Sequence, residues 1–258
     1  MQTFFHPGAQ RLFVNIEGRI PNRREWKRIR ADGTGINVLR LEDGSDSLAP
    51  LAEQAPWITH LLVNSGSVVD LSLVEQMPQL EQLGVGGLVR GEVDLIRSTL
   101  KVFGGPVESF PGVLDLPSLR DLRFDWKPAN TPRIGAPVES LHVLSAAKLS
   151  SVPVLAEPSS LRQLTIHGSA DLDLSGLSAF AGLTSLTLDH CRRITHADAV
   201  LDLPLIELVF EDCPDIDPIE PLAALRAERI VVTGHNPFPA EFRETAGPAW
   251  HFPPGLHR

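Results

Sequence analysis

The sequence predicts an α/β solenoid: a curved stack of about ten short coils, with a parallel β-sheet on the concave side and short helical, 3-10 or extended segments on the convex side. Three observations predict it. An LxxLxL motif returns along the chain, with central anchors at residues 39, 61, 83, 103, 122, 141, 164, 186, 208 and 230, so that successive anchors lie 19 to 23 residues apart. Within each motif the anchors alternate with polar residues, the period of two of a strand with one buried face. Punctuation recurs at matching places, with Pro56, Pro78, Pro117, Pro137, Pro158 and Pro204 each shortly before or at the start of a motif, where proline ends a helical turn and favours extended backbone.

Each part of the chain has its own justification. In residues 1–35, Leu12, Val14 and Ile16 alternate with Phe13, Asn15 and Glu17, which predicts a capping strand, and Trp26 and Ile29 stand at helical spacing in a short helix near Asn22–Arg30. Residues 36–234 hold the coils, from Ile36–Leu39–Leu41 through Leu186 and Leu188 to Ala227–Ile230–Val232. On the return side Asp70, Asp173, Thr195 and Asp217 each follow an apolar residue and can accept from the free N–H groups that open a helical turn. The middle coils are shorter, and the prolines of Gly104–Leu116 and Lys127–Pro137 predict an extended return wall there. Residues 235–258 carry Phe238, Phe242, Trp250 and Phe252 among five prolines, a tail expected to fold over the last coil and cover its apolar edge.

These ten motifs in register resemble the leucine-rich repeat family, over roughly residues 36 to 234, in the short form found in bacteria. Cys191 and Cys213 fall at the ninth position of adjacent coils, and Cys191-Arg192-Arg193-Ile194-Thr195 is similar to the cysteine-containing class of that family. The resemblance implies structural thiols there, whose side chains hydrogen-bond backbone as the chain leaves the strand. It also implies a binding scaffold rather than an enzyme, although one fold hosts many functions.

Composition narrows the partners. The formal net charge is -9. Residues 1–30 hold seven basic groups against Glu17 and Glu25, so the rest of the chain carries -14. That body repels nucleic acid and attracts a cationic partner. No apolar run reaches the roughly 18 residues of a membrane span, and the N-terminus does not read as a signal peptide, so a cytoplasmic monomer is the default expectation. Nucleophile-elbow, phosphate-loop and dinucleotide motifs are absent from the sequence, and no cofactor is expected.

The third, fifth and seventh positions of each motif point outward onto the concave sheet. They, with the eighth, yield the candidate binding residues Arg40, His60, Gln82, Asp121, Arg123, Asp125, Trp126, His142, His167, Asp189, His190, Glu207 and Glu211. Trp126 and Arg123 are of the types that anchor binding hot spots. The expectation is a non-enzymatic module that grips a basic protein, in its narrower form an inhibitor or immunity protein. A metal-binding protein or metal-dependent enzyme using His142, His167, Asp189 and His190 is the rival from another class, although no HxxxH or CxxC pair fixes a geometry and no metal is assigned. A general signalling scaffold is the third reading.

Overall fold

The computed structural model describes residues 2–6, 11–29, 34–41, 46–95, 99–128 and 130–252. Arg30, Gly44 and the last tail residues 253–258 lie outside them, as does the side chain of Arg40. The chain divides into two compact units, residues 1–122 and 123–258. Within each unit successive short coils place their strands side by side in a parallel ladder, the α/β solenoid arrangement.

In the first unit, β1 (Gln2–His6) pairs antiparallel with β2 (Arg11–Gly18), and β3 (Gly35–Leu41), β4 (His60–Asn64), β5 (Gln82–Gly86) and β6 (Val102–Gly104) follow in parallel, each beside its predecessor. Alternation explains the register. Leu61 faces Leu83 and Leu83 faces Phe103, each fully buried, while His60 and Gln82 stand on the other face. Val14 and Ile16 of β2 are buried against this edge. The helix α1 (Arg23–Trp26) opens on a capping box: Asn22 Oδ1 accepts from Arg24 N (2.9 Å) and Glu25 N (3.2 Å), and Asn22 N donates to Glu25 Oε2 (2.8 Å). Trp26 is buried, and Arg23 pairs with Glu53 at 3.0 Å.

The first motif requires a correction. Ile36 and Val38, not Leu39 and Leu41, face Leu61 and Val63, so the first coil is longer than the 22-residue spacing implies. Leu39 is 45% exposed. The reason is local: β3 must match β2, whose register slips between Ile16 and Glu17, and Asn37 Nδ2 is tied to Asn15 Oδ1 at 2.8 Å. The segment Gly104–Leu116 is a second correction. It forms two 3-10 turns, Val107–Ser109 and Val113–Asp115, because a turn so short has room for a proline at its start.

β7 (Asp121–Asp125) spans the division between the units. In the second unit come β8 (Arg133–Ile134), β9 (Ser140–Leu144), β10 (Val154–Leu155), β11 (Gln163–His167), β12 (Leu172–Asp173), β13 (Ser185–Asp189), β14 (Ile194–Thr195), β15 (Glu207–Glu211), β16 (Ile216–Asp217), β17 (Arg229–Thr233) and β18 (Trp250–His251). Parallel pairing runs β9–β11–β13–β15–β17–β18, with Leu141, Leu164, Leu186, Leu208 and Ile230 in one buried row. A second, narrow ladder, β12–β14–β16, lines the return side, where the middle segment Lys127–Pro137 contributes the extended β8, paired with β10.

The helical turns of the return side are all 3-10 among the described residues. Asp70 accepts from Ser72 N (2.9 Å) and Asp173 from Ser175 N (2.8 Å), satisfying donors that open two of them. The turns after Thr195 and Asp217 have no side-chain cap. At the end of the chain, the helix α2 (Ala240–Thr245) and β18 bring Phe238, Phe242 and Trp250 into a buried cluster, with ring centroids 5.0 to 5.3 Å apart.

Candidate functional site

The site grows from how each coil of the second unit leaves its strand. The eighth motif position is left-handed in five successive coils: Ser145 (φ 50°), Gly168 (φ 82°), His190 (φ 52°), Asp212 (φ 48°) and Gly234 (φ 65°). Glycine adopts this conformation freely, whereas a side chain there is disfavoured. One ladder bond still forms at this position, as Gly168 N donates to Asp189 O (2.8 Å), His190 N to Glu211 O (2.8 Å) and Asp212 N to Thr233 O (3.1 Å). The chain then turns inward. The ninth residue donates to backbone in the interior: Ser169 Oγ to Leu149 O (2.7 Å) and Cys213 Sγ to Leu188 O (3.3 Å), with Cys191 Sγ 3.7 Å from Ile166 O. Both cysteines are free and buried, and contact with the Cys191 thiol together with burial pushes the Cys213 thiol up, away from the reactive thiolate form.

The outward side of this exit holds a chain of histidines and acids. His167 at the end of β11 and Asp189 at the end of β13 are register partners. Asp189 accepts from both imidazoles, with Oδ2 2.7 Å from His167 Nδ1 and Oδ1 2.5 Å from His190 Nδ1, and the two rings lie 5.2 Å apart. On its other side His190 Nε2 faces Asp212 Oδ2 at 3.6 Å. Asp212 Oδ1 in turn accepts from His235 N at 2.9 Å. Among the described residues, one donor atom from each of His167, Asp189 and His190 lies within 4.8 Å of the other two.

Electrostatics follow the contacts. Burial raises the Asp189 carboxyl, but hydrogen bonds from His190 and His167 outweigh it and hold the group below the ordinary carboxylate value. The hydrogen bond to Asp189 raises His190 above the ordinary histidine value; burial opposes this, while the charges of Asp189, Asp212 and Glu211 assist. The backbone N–H of His235 holds Asp212 low.

The remaining candidates are distributed over the two units. In the first unit His60 and Gln82 are half-buried on the outer face of β4 and β5, the His60 ring 6.1 Å from Phe13, and Asp121 is half-buried at the start of β7. Arg40 belongs to β3. In the second unit Arg123 and Asp125 are exposed on β7. Trp126 is half-buried, edge-on to Phe124 at 5.8 Å, with its indole N–H donated to Asn130 O at 2.7 Å. His142 lies on β9 with Nε2 3.1 Å from Ser140 Oγ, and it is not part of the His167 group. Glu207 pairs with Arg229 at 2.6 Å, and Glu211 is exposed at the end of β15.

No family model matches the chain. Nor does any curated protein match it. Among solved structures it is similar to internalin C2 from Listeria monocytogenes str. 4b F2365, at 16% identity over 78% of this chain and 69% of that one, with a TM-score of 0.30. At that score the likeness adds nothing to the fold, which rests on the ladders described above.

The sequence places Asp212 at the eighth motif position in line with His190, although it is not among the candidate binding residues, and His235 is not singled out. The signal was present: glycine at 168 and 234 marks a left-handed eighth position, and His190 and Asp212 occupy that same position between them. Asp173 and His196 form a further pair, 2.9 Å apart, on the return side.

Proposed function

We propose that the protein is a binding module whose partner is a basic protein, and that the contact is made on the outward sheet face of the second unit. One observation supports this above the rest. Consecutive strands in register present Gln163, Thr165 and His167, then Ser185, Thr187 and Asp189, then Glu207, Val209 and Glu211, as rows of accessible side chains on a backbone fixed by the ladder. Rows about 4.8 Å apart, rigid and mostly polar, suit recognition of a surface, since little ordering is left to be done on binding. Acidic groups gather towards the end of the rows, at Asp189, Glu211 and Asp212, and a cationic partner complements them. Among the described residues no helix is long and apolar enough to cross a membrane.

In its narrower form the module neutralises a basic enzyme, as an inhibitor or immunity protein does. The experiment is a capture assay with the unaltered chain, with a Trp126→Ala, His167→Ala, Glu211→Lys triple variant, and with a return-side control at Asp198 and Asp202. A partner held by the unaltered chain and the control but lost by the triple variant supports this face. Equal capture by all three removes it. For the narrower form, a captured nuclease or other basic enzyme loses activity as the chain is added; full activity at excess chain rules inhibition out.

A further inference from the structure

We propose that His167, Asp189 and His190 bind one divalent transition-metal ion of the zinc, nickel or copper class. Two imidazole nitrogens and a carboxylate oxygen are the donors these ions prefer, whereas magnesium and calcium favour sites built from oxygen alone. Geometry permits a shared ion. Metal–donor bonds of about 2.1 Å let two donors on one ion stand up to about 4.2 Å apart. The observed spread of 4.8 Å exceeds that by an amount that rotation of two partly exposed side chains covers. Both Nδ1 atoms already converge on the one carboxylate, at 2.7 and 2.5 Å, so the ion enters where those two hydrogen bonds now run.

Two further observations set this group apart from an ordinary solvated rim. His190 occupies a left-handed position that Gly168 fills in the coil before and Asp212 in the coil after, so the fold holds an imidazole where glycine is the easier residue, and strain of this sort collects at functional sites. Its second nitrogen faces Asp212 at 3.6 Å, and Asp212 is itself anchored by His235 N at 2.9 Å. A carboxylate near the outer nitrogen is the usual support of a metal-binding histidine: once Nδ1 exchanges its proton for the ion, Asp212 needs to close by only a few tenths of an ångström to hold the proton on Nε2. Bound at the sheet face, the ion keeps coordination positions open to solvent, which a donor from another molecule can fill.

The test uses the whole chain, stripped with a chelator and dialysed, then titrated calorimetrically with zinc chloride, nickel chloride and, for contrast, magnesium chloride. The expected result is saturable uptake of one zinc or nickel ion per chain, no magnesium uptake, and at least tenfold weaker zinc binding in each of His167→Gln and His190→Gln. His251→Gln, which alters a histidine elsewhere, leaves the affinity unchanged. Cobalt added to the unaltered chain supplies a readout that needs no variant, because cobalt held by four or five donors absorbs visible light far more strongly than the hexa-aqua ion. Failure to saturate at one ion, or zinc binding unmoved by His167→Gln and His190→Gln, overturns the proposal. No protein partner enters the titration, so its outcome is separate from that of the capture assay.

Discussion

At the residue scale the fold depends on a few positions where chemistry and backbone must agree. Gly234 is one. At φ 65° a side chain is disfavoured, and a Cβ there would press on the Asp212 carboxylate, displacing it from the His235 N–H. Gly234→Ala is therefore expected to lower stability by about 1–2 kcal/mol, measured by urea unfolding; an unchanged midpoint would show that the turn relaxes. Asp173 is another. Truncating a residue that caps a helical turn costs about 1 kcal/mol, so Asp173→Ala should show a loss of that order at neutral pH. The hydrogen bond from Ser175 N holds the Asp173 carboxyl below its ordinary 3.8. Because the folded value is the lower one, the contribution is complete above 3.8 and disappears as the pH falls through the depressed value. Unaltered chain and Asp173→Ala should accordingly converge in stability in strong acid, and a gap that persists there would assign the loss to packing instead. Such positions were half-visible in the sequence. Asp70 and Asp173 stood out as caps, but Thr195 and Asp217 shared their spacing without the bond, since capping requires a backbone angle that residue type alone does not specify.

At the element scale the strands were the legible part, because burial on one face forces a period of two that leucine, isoleucine and valine write directly into the chain. The row Leu141, Leu164, Leu186, Leu208 and Ile230 is found where the motif puts it. The first motif failed for a physical reason. Leu39 and Leu41 satisfy the pattern, but β3 takes its register from β2 and from the Asn15–Asn37 bond, neither of which belongs to the repeat. Exit turns were less legible, as a left-handed residue leaves only a preference for glycine, and His190 and Asp212 broke it. The end of the chain depends on one aromatic cluster. Phe238 lies 3% exposed among Phe210, Phe242, Trp250 and Phe252, so Phe238→Ala removes the common neighbour of four rings. Large-to-small changes of this kind cost about 3–5 kcal/mol. Amide exchange should quicken in α2, β17 and β18 and stay slow in β9 and β11, because coils in a stack support chiefly their neighbours. Uniform acceleration would show instead that the unit unfolds as a whole.

At the scale of the whole molecule the decisive quantity is charge. The chain carries -9 in all, but its first thirty residues are basic, so the remainder, which includes the candidate face, is more acidic than the total. Part of that acid is compensated: Arg229 neutralises Glu207 at 2.6 Å, and the two imidazoles share Asp189. Glu211 remains exposed at the end of its strand, with Asp212 beside it. A lysine-rich peptide is therefore expected to bind near Glu211, Asp212 and Thr233 and to perturb their amide resonances, while a glutamate-rich peptide of equal length does not. Attraction between exposed charges fades over a Debye length of about 10 Å at 0.1 M salt and about 3 Å at 1 M. The perturbation should thus be strong in dilute buffer and nearly gone at 1 M sodium chloride, and Glu211→Lys should weaken it at every salt concentration. If instead the lysine peptide perturbs residues all over the acidic surface alike, charge draws cations to this molecule without choosing a face, and the preference for a basic partner must be separated from the choice of the sheet.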